Sequence, residues 1–270
     1  MWRMILNRIG DAFRAARKAD RAAFIPYVTA GDPSLEHTVS LARALRRAGA
    51  DILELGVPFS DPIADGPTNQ RAAERALASG TTLEGVLEVV RAIRVDNDLP
   101  VVLFSYSNPV IRYGIDRFAL DAAAAGVDGV LFTDVPVEEM GYFESDLKKS
   151  DISPILLVTP TSTRDRVKAA ARRGRGFLYL VSRTGVTGTR NRLDPELADN
   201  IAMVRKVSRL PVAVGFGIST PAQVAEVAAL ADGVVVGSAI VDRVARHGDS
   251  AGLEDVIQRF VTPLAEACRR

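Results

Sequence analysis

An acidic residue stands inside an apolar segment at residues 51–57, DILELGV. Alternate side chains of a β-strand share a face, so Glu54 lies with Ile52 while Leu53 and Leu55 face the other way. Apolar surroundings disfavour a charged carboxyl group and raise its pKa toward neutral pH. A carboxyl group tuned in this way can give a proton and take one back, which predicts that Glu54 is a general acid–base. The alternative is a structural carboxylate held by backbone groups or a basic partner.

Two further carboxylates follow in the segment FSDPIADGP, where proline and glycine indicate a loop after the strand. Asp61 and Asp65 are four residues apart, a spacing that raises the question of a metal site. The loop offers few other oxygen ligands, and His37 and His247 fall in helical segments, so no metal is predicted. Capping of turns stays open as a role for both acids. Asp65 is the stronger functional candidate, since it precedes a Gly-Pro pair where the next helix begins.

Three glycine-containing turns late in the chain have the composition of a phosphate site. They are SRTGVTGTRN (182–191), GFGIST (215–220) and VVGSAIV (235–241). Glycine lets backbone N–H groups approach an anion, and Gly237 and Ser238 open a helix whose N-terminus attracts negative charge. The turns predict a phosphorylated substrate, and ordinary tight turns are the alternative.

Aromatic and aliphatic residues near the ends of the apolar segments could hold a flat ring. Tyr179 is the one aromatic residue with a predicted polar role, because its hydroxyl could reach a substrate or Glu54. For the other residues, ordinary packing inside the fold is at least as good an explanation. They are Tyr27, Ile63, Phe104, Tyr106, Leu131 and Phe216.

Eight short apolar segments alternate with amphipathic segments along the chain. Most are hydrophobic throughout, as expected for parallel strands covered on both faces. The predicted strands are 23–28, 51–57, 100–106, 129–133, 152–158, 176–181, 211–216 and 233–237. Helices are predicted from the cap at Ser34 to Gly49, at 81–94, 114–127, 161–174 and 219–231, and in the C-terminal tail.

This alternation predicts an α/β fold, a single (β/α)8 barrel domain over residues 1–270. A doubly wound open sheet is the rival, but no G-x-G-x-x-G follows the first strand. Near the N-terminus, Ile5, Ile9 and Phe13 recur at helical spacing among basic residues. They predict an extra amphipathic helix over one end of the barrel rather than a secretory signal.

The composition is typical of a soluble globular protein, with 47% hydrophobic and 25% charged residues among 270. A formal net charge of +1 gives no reason to expect a nucleic-acid or acidic-membrane partner. No segment has the apolar length needed to span a bilayer. Cys268 is the only cysteine, which excludes a disulfide within the chain and fits the reducing cytoplasm.

Five motifs resemble those of the α-subunit of tryptophan synthase in order and spacing: ELGVPFSDPIADGPTNQ, DVPVEE, GRGFLYLVSRTGVTG, GFGIS and GSAIV. The resemblance implies a lyase that reversibly cleaves indole-3-glycerol phosphate to indole and glyceraldehyde 3-phosphate. It also implies a β-subunit partner that uses pyridoxal phosphate to join indole to serine, in an allosterically coupled α2β2 heterotetramer. No cofactor is expected on this chain.

The resemblance assigns roles to three side chains. Glu54 matches the general acid–base that moves protons between C3 of the indole and the substrate hydroxyl. Asp65 matches the carboxylate that accepts a hydrogen bond from the indole N–H and stabilises positive charge on the ring. Tyr179 matches a tyrosine beside that centre.

The resemblance also assigns roles to the loops. The backbone amides that match the phosphate-binding groups are those of Gly188, Gly217, Gly237 and Ser238. Thr187 matches a threonine that closes against Asp65. Pro58 and Asp61 match the stretch that meets the β-subunit.

Three alternatives stay open. One is a free-standing lyase that uses the same residues and releases indole. Another is a different phosphate-binding barrel, such as an isomerase or aldolase, although none of the eight strand segments contains the lysine that a Schiff-base aldolase needs. The third is a regulatory barrel that retains only the partner surface.

Overall fold

The computed structural model describes residues 8–181, 196–215, 217–248, 250 and 252–270. Within them, eight parallel strands close into a barrel in chain order, with the last strand hydrogen-bonded to the first. The predicted (β/α)8 architecture is confirmed, and every strand boundary lies within two residues of its prediction. The strands are β1 (Ala23–Thr29), β2 (Leu53–Gly56), β3 (Val101–Ser105), β4 (Gly129–Phe132), β5 (Ser153–Val158), β6 (Leu178–Val181), β7 (Val212–Gly215) and β8 (Gly233–Val236).

Helices cover the outside of the barrel, and four of them begin at a side-chain cap. Ser34, Thr82, Thr163 and Thr220 each accept a hydrogen bond from the backbone N–H three residues later. Such caps satisfy N–H groups that the first turn of a helix leaves unpaired. The described residues form α1 (Arg8–Lys18), α2 (Leu35–Arg47), α3 (Pro67–Ala78), α4 (Leu83–Arg94), α5 (Ser107–Tyr113), α6 (Ile115–Ala125), α7 (Gly141–Lys149), α8 (Arg164–Arg173), α9 (Leu197–Val207), α10 (Pro221–Ala228), α11 (Ser238–His247) and α12 (Leu253–Glu266).

Three of these helices, α5, α7 and α9, are not predicted from the sequence, and for α3 and α11 the sequence predicts only the start. The first two have only seven and nine residues, too few for an apolar face to recur more than once or twice. In α9, Leu197, Ile201 and Val204 are buried at helical spacing, a signal that the sequence does contain.

The barrel has an inner and an outer apolar layer. Ile52 belongs to the cluster inside the strands, whereas Leu53 and Leu55 belong to the cluster between strands and helices. Alternation along β2 therefore turns Glu54 inward, as predicted. Burial on both faces is the reason that the strand segments are hydrophobic throughout.

The predicted N-terminal helix is present as α1, and it closes the N-terminal end of the barrel. Ile9 and Phe13 are buried, and the ring centroid of Phe13 lies 5.5 Å from that of Phe177. The helix approaches the first residues of two strands closely, and a side chain in place of either glycine would require its neighbours to shift. A Cβ atom would lie 3.1 Å from Ile9 at Gly129 and 3.1 Å from Phe13 at Gly233.

Three aspartates hold the same end of the barrel by one repeated arrangement. Asp51, Asp128 and Asp232 each precede one strand and accept a backbone N–H at the start of the neighbouring strand, at 2.8–3.0 Å. Each carboxylate also binds an arginine, so a backbone N–H group and a guanidinium group both compensate its charge. The ion pairs are Arg21–Asp51, Arg94–Asp128 and Arg205–Asp232.

Replacing Asp128 by alanine tests this arrangement. The Asp128 side chain is 7% exposed, and its loss would leave Arg94 and the N–H of Val101 without this acceptor. We expect Asp128→Ala to lower the free energy of unfolding, measured by urea denaturation, by about 3–5 kcal/mol. The control Asp96→Ala removes a half-exposed carboxylate and should cost less than about 1 kcal/mol. Equal losses in the two variants would contradict the proposed role of Asp128.

Candidate active site

Glu54 lies at the C-terminal end of β2, inside the mouth of the barrel. It sits in register between Tyr27 of β1 and Val102 of β3, and it is 1% exposed. Its Oε1 atom has no hydrogen-bond partner among the described residues. Burial without compensation raises the pKa of the carboxyl group to about 8, so the protonated acid predominates at neutral pH. Its position and the direction of its pKa shift agree with the prediction from sequence.

Two tyrosines share the barrel interior with Glu54. Burial, as the largest cause, raises the pKa of both Tyr27 and Tyr179, and the charge of Glu54 raises each further. Both hydroxyls therefore stay protonated at neutral pH. The Tyr27 hydroxyl lies against Gly56 and the Tyr179 hydroxyl against Gly215, each on the next strand. Both contacts are so close that a Cβ atom on either glycine would clash with the hydroxyl.

Asp65, in the loop after β2, is held by Tyr106 at the end of β3. Tyr106 Oη donates to Asp65 Oδ2 and accepts from the N–H of Ala64, both at 2.9 Å. Its ring packs on Phe59, with centroids 5.2 Å apart. The prediction of a polar role for Tyr179 alone among the aromatic residues is therefore wrong. Only the fold shows that the loop after β2 folds back onto the end of β3.

Two amides in the first turn of α3 complete the support of this loop. Gln70 Nε2 donates to the carbonyls of Pro62 and Asp65, at 3.3 and 2.9 Å. The other amide, Asn69, acts on the Asp65 carboxyl group as a side-chain hydrogen-bond donor that lowers its pKa. Burial raises the pKa of Asp65, and hydrogen bonds from Tyr106 and Asn69 oppose that rise. Neither amide is among the predicted site residues, although their place just after the Gly-Pro helix start was a usable signal.

Gly217 and Gly237, which the sequence predicts to bind a phosphate, follow β7 and β8. Gly217 has a φ of +77°, and a Cβ there would meet no atom within 4 Å. Gly237 is the N-cap of α11, whose first residue is Ser238. The first N–H groups of a helix have no partner within it and carry partial positive charge. Gly188, predicted to belong to the same cradle, lies outside the residues that the structure describes.

The predicted wall for a flat ring is present in part. Tyr27, Phe104 and Leu131 are buried inside the barrel, and the first two rings pack edge to face with centroids 5.3 Å apart. Ile63 does not belong to this wall: its side chain is 87% exposed, because the loop after β2 carries it to the surface. Phe216 lies outside the described residues.

The remaining loop residues occupy different environments. Pro58 is buried at the end of β2, and Asp61 is exposed at the tip of the loop. Thr187 falls within 182–195, which the structure does not describe. Across the described ranges, no three histidine, cysteine or acidic side chains are grouped so that they could hold a metal ion. Of the helices in those ranges, none has the length and apolar character to cross a membrane.

Comparison with known proteins gives one consistent result. Residues 13–267 match the family model described as tryptophan synthase alpha chain. The protein of that name from Solibacter usitatus is 51% identical to the chain, over 96% of this chain and 97% of the relative. The protein of that name from Geobacter sulfurreducens is 49% identical, over 97% of this chain and 99% of the relative. The crystal structure of tryptophan synthase subunit alpha from Legionella pneumophila superposes with a TM-score of 0.90 at 36% identity, over 98% of this chain and 99% of that one. A structure of Mycobacterium tuberculosis tryptophan synthase gives 0.89 at 38%, over 97% and 98% of the two chains.

The raised pKa of Glu54 makes stability depend on pH. The ordinary pKa of this group is 4.5 and the folded value is about 8. Between these values the folded chain keeps the proton and the unfolded chain does not, so stability falls by about 1.4 kcal/mol per pH unit as pH rises. Glu54→Gln has no such proton, and its gain in unfolding free energy should grow from pH 5 to pH 8 and then level off. A gain that is constant over this range in urea titrations would refute the assignment.

Removing one hydroxyl tests the support of the Asp65 loop. Tyr106→Phe deletes both the donor to Asp65 and the acceptor for the Ala64 N–H, while the ring contact with Phe59 remains. We expect amide hydrogen exchange at Ala64 to accelerate about 10-fold, the equivalent of one hydrogen bond. The control Tyr113→Phe deletes a hydroxyl that binds a carboxylate on α6 and should leave this rate unchanged. If both variants behave alike, Tyr106 does not hold the loop.

Proposed function

The chain belongs to the tryptophan synthase alpha chain family, the lyase subunit that cleaves indole-3-glycerol phosphate, and on this premise we propose which of its residues perform the reaction. The observation that carries the proposal is the buried carboxyl group of Glu54, with one oxygen unpaired at the mouth of the barrel. A reaction that moves one proton in and one proton out at neutral pH needs such an acid.

Glu54 acts first as an acid and then as a base. The protonated carboxyl group gives its proton to C3 of the indole, which makes the ring cationic. The carboxylate then takes the proton of the hydroxyl on the carbon attached to C3. The O–H electrons form the aldehyde C=O, the carbon–carbon bond breaks, and its electrons restore the aromatic ring. Indole and glyceraldehyde 3-phosphate leave, and Glu54 is protonated again.

Asp65 stabilises the intermediate of this sequence. Its carboxylate accepts a hydrogen bond from the indole N–H. The N–H becomes more acidic when the ring becomes cationic, so this hydrogen bond is stronger in the transition state than in the bound substrate. Support comes from the donors on Asp65: Tyr106 and Asn69 favour its ionised form against the effect of burial. The mechanism uses the two carboxyl groups in opposite forms, with Glu54 protonated and Asp65 ionised.

The rest of the mouth holds the substrate. The rings of Tyr27 and Phe104, with Leu131, form an apolar wall for the indole, and the hydroxyl of Tyr179 serves as a neutral donor beside the reacting carbon. The phosphate binds to the backbone of Gly217, Gly237 and Ser238, with Gly188 from the loop after β6.

We also propose a partner surface on the loop after β2. Ile63 in this loop is 87% exposed and Ile111 on α5 is 55% exposed, so both side chains can contact a partner. With the exposed Asp61 they form the surface for a β-subunit, and Pro58 lies buried at the start of the same loop. Because this loop also carries Asp65, contact with a partner can change the position of a catalytic group.

The assembly and its setting are part of the same proposal. Two α-chains and two β-subunits form the complex, and indole passes to the β-subunit, which holds the pyridoxal phosphate. The chemistry on this chain uses only its own side chains and backbone. The cytoplasm is the proposed location, which fits a chain with one buried thiol, Cys268.

The first experiment measures release of glyceraldehyde 3-phosphate from indole-3-glycerol phosphate, with and without a β-subunit. We expect slow release from the chain alone and an increase of about 5–150-fold in the complex, the usual range of coupling between sites. A fast rate that does not respond to the β-subunit would identify a free-standing lyase. No release in either case would leave only a regulatory role.

Two isosteric substitutions test the roles of the carboxyl groups. Glu54→Gln should lower kcat by about 10²–10⁴-fold with little change in KM, because proton transfer is lost while the shape is kept. Asp65→Asn should lower kcat by a smaller factor, since a neutral acceptor remains for the N–H. Asp96→Asn, at the surface, controls for loss of a carboxylate in general. Substantial activity in Glu54→Gln would overturn the mechanism.

A further inference from the structure

Two buried side-chain oxygens have no hydrogen-bond partner within the described residues, and the proposed mechanism uses only one of them. They are Glu54 Oε1 and Asn69 Oδ1. A buried acceptor without a partner costs roughly 1–3 kcal/mol, so native structures retain few of them. The proton chemistry accounts for the first. The second needs a different explanation.

Asn69 is placed to meet a ligand in the barrel mouth. It lies in the first turn of α3, three residues before Ala72, and residues three apart share one face of a helix. Ala72 is fully buried in the interior cluster that also contains Tyr27, Phe104 and Tyr179. The face of α3 that carries Asn69 therefore looks toward the indole wall.

The chemistry of the amide fixes which of its atoms remains free. Hydrogen bonding from Asn69 lowers the pKa of Asp65, and an ionised carboxylate can only accept, so the NH₂ group is the one that serves Asp65. The carbonyl oxygen of the same amide is left beside Asp65 as a neutral acceptor. Asn69 and Asp65 thus present two adjacent acceptors.

We propose that Asn69 determines specificity on the indole side of the site, by orienting the Asp65 carboxylate and by offering Oδ1 as a second acceptor for the indole N–H. The inference rests on the proposed function and adds a recognition residue to it. Of the three donors on the substrate, the two hydroxyls belong to the glycerol part, near Glu54. The ring N–H is the donor that approaches Asp65, and hence Asn69.

A pair of acceptors for one N–H discriminates against rings that lack a donor. Benzothiophene has nearly the shape of indole but no N–H, so its binding would bury both acceptors without partners. Asn69→Leu keeps the approximate volume and removes both hydrogen-bonding functions. Asn69→Asp keeps an acceptor but removes the amide donor. Arg71→Leu is the matched control, because Arg71 lies on the exposed side of the same helix.

The experiment measures dissociation constants of indole and benzothiophene for the isolated full chain by calorimetry. Asn69→Leu should reduce the preference for indole by about 10-fold, the equivalent of one hydrogen bond. Asn69→Asp should reduce it less, and Arg71→Leu should keep it within about twofold. An unchanged preference in Asn69→Leu, or an equal loss in Arg71→Leu, would overturn the inference.

Kinetics separate this inference from the proposed function. Cleavage of indole-3-glycerol phosphate by the parent chain, and its loss in Glu54→Gln, test the reaction independently of the two binding constants. If Asn69 acts as proposed, Asn69→Leu raises KM for the cleavage more than it lowers kcat. A fall in kcat alone, with KM and the preference for indole unchanged, would contradict the recognition role.

Discussion

The site depends on a carboxyl group that the barrel buries without compensating its charge. Closure of eight parallel strands forces alternate side chains of β2 inward, and Glu54 is the one that reaches the mouth. There it meets tyrosine rings and aliphatic groups instead of a basic partner. Burial raises its pKa to about 8, so the protonated acid that the proposed mechanism uses predominates at neutral pH.

The carboxyl groups at the two ends of the barrel differ in whether their charge is compensated. At the N-terminal end, Asp51, Asp128 and Asp232 bind arginines and backbone N–H groups, so they tie neighbouring strands together. At the C-terminal end, within the described residues, Glu54 has an unpaired oxygen and Asp65 is served by the neutral donors Tyr106 and Asn69. The carboxylates of the N-terminal end thus have compensated charge, whereas that of Glu54 is uncompensated by any described residue.

The loop after β2 connects the site to the surface. Tyr106 and two amides of α3 hold its inner side, where Asp65 lies, while Ile63 and Asp61 face outward. A few hydrogen bonds therefore fix the position of a catalytic candidate that stands on a loop rather than a strand. Such a loop can respond to a partner without any change in the barrel, which is rigid because both of its faces are packed.

Sequence alone determined the eight strands, the closed barrel and the identity of the buried acid, because hydrophobic periodicity and an acid in an apolar segment are local signals. It could not reveal that Tyr106 holds Asp65, that Asn69 is left with a free acceptor, or that Ile63 points to solvent. Those facts depend on how one loop folds over the next strand, and residues 41 positions apart, such as Asp65 and Tyr106, meet only after the barrel closes. Local patterns indicate which face of a strand is buried, but tertiary structure decides which polar side chains form hydrogen bonds with each other.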